Sequence, residues 1–235
     1  MKRLLFMLLC SSSLFAFVGF GANVNLDGFL YPSYSSTATG GEINYMVNGE
    51  GFDNAGGLSL YAYLDFLPIV DLEANLELVG NSYKFATYSE ALGCTLLLSE
   101  GDFPWARVSF YFTARKKLIG AKVPFLAKVQ IYARGGINSH TVTPQLEVDF
   151  FTEAFGTGYE DALSQEFSQT EIVDKLVNYV SENATQHSGI HMQVGAQVKV
   201  LVFSLFANAR YTMAKDVIPD KAGFPSMNAG LAFGF

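Results

Sequence analysis

Along most of this chain apolar residues fall at every second position, with polar residues between them. In GLSLYAYLDF, Leu58, Leu60, Ala62, Leu64 and Phe66 alternate with Ser59, Tyr61, Tyr63 and Asp65. In VDLEANLEL, Val70, Leu72, Ala74, Leu76 and Leu78 alternate with Asp71, Glu73, Asn75 and Glu77. The pattern returns in WARVSFYFTAR, AKVQIYAR, IHMQVGAQVKV, SLFANARYTM and the last stretch from Ser226 to Phe235. A weaker version opens the body at NVNLDGFLY, on Val24, Leu26 and Leu30. Side chains alternate faces along a strand but gather every three or four residues on a helix, so these segments predict eight strands, each with one oily face. GEINYMVNG, ALGCTLLLS and QLEVDFF alternate weakly; they are assigned to outer loops or strand extensions, which leaves a count of ten open.

The links between these strands follow their own alternation. Those joining the first to the second, third to fourth, fifth to sixth and seventh to eighth are long; the intervening ones are short. An even strand count with all short turns on one side predicts a closed, all-β, antiparallel up-and-down barrel. Periodicity cannot say which face is inside, and a soluble lipocalin-like barrel has the same pattern with apolar residues within. Three features favour a membrane barrel. Small and charged residues, Gly195, Gly230 and Gly234 among them, share the polar face. Aromatics collect at strand ends (Phe66, Phe103, Trp105, Phe125, Phe203, Tyr211, Phe235), as an interfacial girdle requires. The final alternation Met227, Ala229, Leu231, Phe233 closes on the aromatic Phe235.

In that terminal strand, and in pattern over nearly the whole mature chain, the sequence resembles the small Gram-negative outer-membrane barrels of the outer membrane protein A type. The resemblance implies a transmembrane, porin-like barrel in the cell envelope, in contact with outer-membrane lipid. It also implies insertion by barrel-assembly machinery that reads the strand ending in Phe235.

The N-terminus fits export. Lys2 and Arg3 precede an uncharged apolar run from Leu4 to Phe20, which reads as a signal peptide over 1–22, with Gly21 or Ala22 at the cleavage point and the barrel over 23–235. Cys10 does not fit a lipid-carrying cysteine, because Leu9 stands where a small residue is needed. The mature chain then holds one cysteine, Cys94, and no internal disulfide. A net charge of −7 without a basic cluster excludes a nucleic-acid partner.

Three features bear on function. With apolar residues outward, Glu73, Glu77, Arg107, Lys128, Arg134, Lys199 and Arg210 face the lumen, where opposite charges must pair. The longest loop, roughly 136–188, contains the one clear helical period: Ser168 and Glu171 form a capping box, and Ile172, Val173, Leu176, Val177 and Val180 make an apolar stripe suited to cap the barrel mouth. His140, His187 and His191 flank that loop, but no Gly-x-Ser-x-Gly or His-Glu-x-x-His motif accompanies them. No catalytic residue, metal or cofactor is therefore assigned. The leading expectation is a structural or surface-contact barrel with a plugged lumen and an extracellular partner. The alternative is a narrow channel or transporter for small or partly apolar solutes. A rim-located lipid-modifying enzyme comes third.

Overall fold

The structure, a computed structural model, describes residues 18–40, 43–65, 70–92, 94–123, 126–150 and 169–234, without the side chains of residues 40, 91, 169–173 and 176. Its strands are β1 (Val18–Tyr31), β2 (Tyr34–Gly40), β3 (Ile43–Gly49), β4 (Phe52–Leu64), β5 (Asp71–Ala91), β6 (Cys94–Val123), β7 (Ala127–Val142), β8 (Thr185–Val200), β9 (Phe203–Met213) and β10 (Phe224–Gly234). Between β7 and β8 lies the helix α1 (Gln169–Asn183). Every pairing is antiparallel, and eight strands close a ring in the order β1-β4-β5-β6-β7-β8-β9-β10 and back to β1. The β2–β3 hairpin joins the outer half of β5, outside the ring. GEINYMVNG thus supplies β3, ALGCTLLLS supplies a hairpin tip and the start of β6, and a helical turn begins at Val148 within QLEVDFF.

Register fixes the barrel's geometry. Round the ring, Val18 faces Leu64, Leu64 faces Leu72, Leu72 faces Ala114, and Ala114 faces Gly135. Gly135 faces Met192, Met192 faces Tyr211, and Tyr211 faces Pro225. Because Ser226 faces Asp27, Pro225 returns to β1 beside Gly28, ten residues above Val18 (28 less 18). A shear of ten across eight strands tilts them by roughly 40°, which makes about ten residues enough to cross an apolar band ~25 Å tall. At 21 and 30 residues, β5 and β6 are far longer than that, and their joined ends stand well above the ring as an overhanging hairpin.

The wall faces outward with its oily side. Leu76, Phe112, Ile131 and Leu231 are 48%, 43%, 45% and 64% exposed, whereas Glu77 and Arg107 are 0% exposed and Arg134 is 7%. A soluble barrel reverses this order. The apolar belt would be a severe aggregation hazard in water and is stable against hydrocarbon, so the ring is of the membrane-spanning kind.

Two interior layers differ in character. The lower barrel holds Tyr61, Tyr63, Phe206 and Ala232 among the lumen charges. Above the ring the long connections enclose an aromatic core of their own, with Tyr31, Tyr45, Tyr83, Phe103, Trp105, Leu146, Phe150, Tyr179, Ile218 and Phe224. Tyr31, Phe52 and Tyr83 stack there with rings nearly parallel.

Several expectations need correction. Phe103 and Trp105 are not girdle residues: they are 2% and 1% exposed and sit in the outer core. They share the odd parity of Arg107 on β6, and parity puts them inside. Phe203 and Tyr211 do face outward, while Phe66, Phe125 and Phe235 lie outside the described residues. The helical stripe is not buried as one face either. Val177 is 60% exposed, while Val180 and Tyr179 turn toward the core, Tyr179 edge-on to Phe150 at 4.8 Å. The side chains of Ile172, Val173 and Leu176, and Ser168 altogether, lie outside the described residues. Apart from these corrections, the described part of β1 begins at Val18, and Gly19 to Ala22, within the stretch read as export signal, pair with Gly234 to Leu231.

Candidate functional site

The alternation of β1, β5, β6, β7 and β9 aims one polar residue in every two at the barrel axis, and their registers bring these residues to two levels. At the upper level Arg210 on β9 grips Glu77 on β5 in a fork: Nη1 donates to Oε1 at 2.6 Å and Nη2 to Oε2 at 2.8 Å. Its Nε donates to Ser226 Oγ at 2.9 Å, and the guanidinium lies 3.9 Å from the centre of the Tyr111 ring. Arg107 Nη2 donates to Asp27 Oδ2 at 2.6 Å and stands 3.8 Å from Glu77 Oε2, with its guanidinium over Phe224. Asn75 donates to Glu77 Oε1 at 2.7 Å. Two acids and two arginines thus balance in a layer with no measurable exposure at Asp27, Glu77 or Arg107.

The lower level is built around Glu73. Tyr61 donates to Glu73 Oε1 at 2.6 Å, Arg134 Nε stands 2.8 Å from Oε2, and Arg115 Nη1 stands 3.1 Å from Oε1. Arg115 also donates through Nε and Nη2 to Asp71 Oδ2, at 2.9 and 2.7 Å. Arg134 rests over the Tyr132 ring at 4.3 Å. The Asn208 amide donates to the Tyr132 hydroxyl at 2.6 Å and accepts from Arg134 Nη1 at 3.2 Å. Gly195 makes room for this arrangement, since a Cβ there would fall 2.0 Å from the Asn208 amide and 2.7 Å from the Tyr132 ring. Along β1 and its neighbours, Asn23, Asn25 and Ser59 form a further hydrogen-bonded ladder.

Of the seven lumen charges expected from sequence, Glu73, Glu77, Arg107, Arg134 and Arg210 meet in these two clusters. Lys128 and Lys199 do not join them among the described residues. They face each other across β7 and β8 at the base of the barrel, half-buried, within electrostatic reach of Asp65. Three further charged members are Asp27, Asp71 and Arg115. Asp27 follows Asn23 and Asn25 on the polar register of β1, so the same alternation marks it.

His187 and His191 lie within electrostatic reach of His140, and each of the three is engaged in local hydrogen bonds. His140 bonds to Ser109 Oγ at 2.8 Å and to Asn138 Oδ1 at 2.9 Å; His191 bonds to Thr113 Oγ1 at 3.0 Å. Both stand edge-on to Tyr111 and are fully buried, wedged between the charged layer and the aromatic core. His187, opposite His140 in register, pairs locally with Thr185. Among the described residues no group of His, Cys, Asp or Glu is arranged to hold a metal ion.

The outer platform is tied together by specific bonds between β2, the outer half of β5 and the segment that follows β7. The Tyr34 hydroxyl on β2 donates to the Leu146 carbonyl and accepts from the Leu146 N–H, both at 3.0 Å, with the Tyr83 hydroxyl 3.0 Å away. Val148 N–H donates to Ser36 Oγ at 3.3 Å. Burial of this cluster pushes the Tyr34 hydroxyl up to about 12. The platform's exterior is acidic: Glu50, Asp53, Glu90, Glu100, Asp102, Glu147, Asp149, Asp174, Glu182, Asp216 and Asp220 are exposed, against Lys84, Lys175, Lys215 and Lys221. The basic residues of the opposite end, Lys116, Lys117 and Lys122, flank the β6–β7 turn.

No protein-family model matches the sequence, and a search of curated proteins finds no match. Among solved structures, the chain is similar to the outer membrane protein OprG from Pseudomonas aeruginosa, at a TM-score of 0.41 and 10% identity over 93% of this chain and 95% of that one. It is also similar to Neisserial surface protein A, at 0.38 and 11% over 94% and 98%. A third likeness is to Ail, the attachment invasion locus protein of Yersinia pestis, at 0.35 and 8% over 92% and 98%. The chain itself folds as a small, closed, eight-stranded transmembrane β-barrel with an apolar wall and a charged axis.

Proposed function

We propose that this protein is an integral outer-membrane barrel whose lumen is a structural plug and whose working surface is the acidic platform above it. The observation that carries the reading is the stacking of three closures along one axis. The Glu73 cluster and the Glu77 cluster each fill the lumen with hydrogen-bonded side chains, and the aromatic core covers them from outside. An eight-stranded ring is just wide enough for side chains to fill. An ion moving along the axis would have to break several desolvated ion pairs, and unpairing one buried partner costs about 3–5 kcal/mol. The chain meanwhile commits a large share of its length to structure beyond the ring: the β2–β3 hairpin, the overhang of β5 and β6, and helix α1. A barrel needs none of these to span a membrane, and they fit a role in contact at the cell surface.

Purified protein in planar bilayers tests the proposal. The expected result is no stable single-channel conductance for the wild-type chain. A Glu77→Ala, Glu73→Ala double variant that still shifts on unheated gels should be leakier than wild type. Reproducible conductance steps from wild-type protein would overturn the plug and favour the transport reading.

A further inference from the structure

Among the described residues, the outer sheet ends on a strand without the charge, proline or bulge that usually protects an edge. β2 pairs with β3 on one side, and among the described residues no strand pairs with its other side. Exposed edges are ordinarily blunted by lysine, proline, a bulge or inward charges. Tyr34-Ser-Ser-Thr-Ala-Thr-Gly40 has no charge and no proline, and its pairing with β3 runs without a break over seven residues. The strand is also held in place. Tyr34 and Ser36 are bonded on the inner face to Leu146 and Val148, so its edge is set before anything docks there.

Beside this edge, on the outward face of the same sheet, lies a half-open pocket of about 220 Å3. Register sets two rows across it: Thr37, Met46, Tyr88, Leu97 and Thr39, Asn44, Glu90, Thr95. Met46 and Tyr88 give the pocket an apolar floor and an aromatic face. Glu90, exposed at the rim, gives it a negative end. The nearest lysine in sequence on that face, Lys84, stands opposite Asp102.

We infer that β2 accepts an extended segment of a partner protein as an additional strand, and that the segment carries lysine or arginine at alternate positions. Main-chain bonds to β2 would supply affinity, and the pocket would supply selectivity. Every second side chain of an added strand lies over the outward face. There a long basic side chain leans over Thr37 and Thr39 with its stem toward Met46, and its charge points toward the Glu90 end of the pocket. The acidic exterior draws such a segment in and disfavours an acidic one. This inference rests on the platform being the working surface, and it names the partner's chemistry.

The test uses full-length protein in detergent micelles and a labelled short peptide of alternating threonine and lysine, read by fluorescence anisotropy. Two comparison peptides are needed: one with glutamate for lysine, and one of equal charge interrupted by proline. The alternating lysine peptide is expected to bind, and the other two to bind at least about tenfold more weakly. Glu90→Lys and Thr37→Lys should each weaken binding by about tenfold, while Asp220→Lys, the same charge change as Glu90→Lys and larger than that of Thr37→Lys, should leave it within about twofold. Folding of each variant is checked by its gel shift without heating. Equal binding of the proline peptide, or an equal loss with Asp220→Lys, would reduce the effect to general charge attraction and overturn the inference. Self-association of wild-type protein that Thr37→Lys abolishes would overturn it too, by giving the edge to a second copy. A non-conducting, folded barrel that ignores all three peptides would sink this inference alone; conductance would sink the plug reading instead.

Discussion

Glu77 holds Arg210 in a fork and stands within ion-pair range of Arg107, and nothing near it is wet. Removing it strands two guanidinium groups in a low-dielectric interior. Glu77→Ala should therefore cost about 3–5 kcal/mol of stability, seen as a lower urea midpoint for loss of the unheated gel form. Lys199→Ala should change that midpoint by less than about 1 kcal/mol, because the half-buried ammonium at the base keeps much of its hydration. Tyr34 offers a contrast through pH. Its hydroxyl is held up at about 12 by burial, above the ordinary tyrosine value of 10. Above pH 10 the opened platform gives up this proton more readily than the closed one, so closure weakens as pH rises from 10 toward 12 and is unaffected below. Limited proteolysis of the outer loops should speed up over that window while the membrane-spanning ring stays protected, and Tyr34→Phe should remove this residue's share of the effect.

Strand boundaries and turns show how much a single sequence can tell. Alternation located all eight ring strands, because a lipid-facing wall repeats one rule around the ring, and link lengths gave the side of the long loops. Which face is outward needed the small residues, the strand-end aromatics and the terminal strand besides. Parity also placed Phe103 and Trp105 inside, and only a separate expectation about girdles put them elsewhere. The β2–β3 hairpin was less legible: INYMVNG packs half-buried against other loops, and that burial depends on chain far away in sequence. The start of β1 was obscured because Val18 to Ala22 is apolar enough to read as signal peptide and strand alike. Pairing of Gly19 to Ala22 with β10 predicts export-signal cleavage before Val18, which intact-mass measurement of the mature protein checks directly. A mature chain starting at Asn23 would leave Leu231 to Gly234 without this partner. The β8–β9 turn makes a further prediction. It has two residues, Leu201 and Val202, with Leu201 at φ 55°, a position where hairpins of this length favour glycine. Leu201→Gly should stabilise the barrel by about 1 kcal/mol in urea titration, since the leucine side chain is 63% exposed and its left-handed backbone costs more than in glycine.

At the scale of the whole molecule, the ring, the plug and the platform argue for one orientation, because among the described residues the chain that reaches far beyond the bilayer lies at one end. Acids crowd that end and lysines gather at the β6–β7 turn opposite, a division that aligns with the long and short connections. Cys94 makes the orientation measurable without altering the outer surface. It sits exposed at the tip of the β5–β6 overhang, on the side of the acids, and the only other cysteine is Cys10 in the N-terminal apolar run. A membrane-impermeant maleimide added to intact cells should label wild-type protein at Cys94. A Cys94→Ser, Lys122→Cys variant should stay unlabelled until the outer membrane is permeabilised, since residue 122 lies at the other end of β6. Labelling of residue 122 on intact cells, with Cys94 protected, would turn the barrel upside down. It would move the acidic platform and its open β2 edge to the inner side of the membrane, where no extracellular partner reaches them.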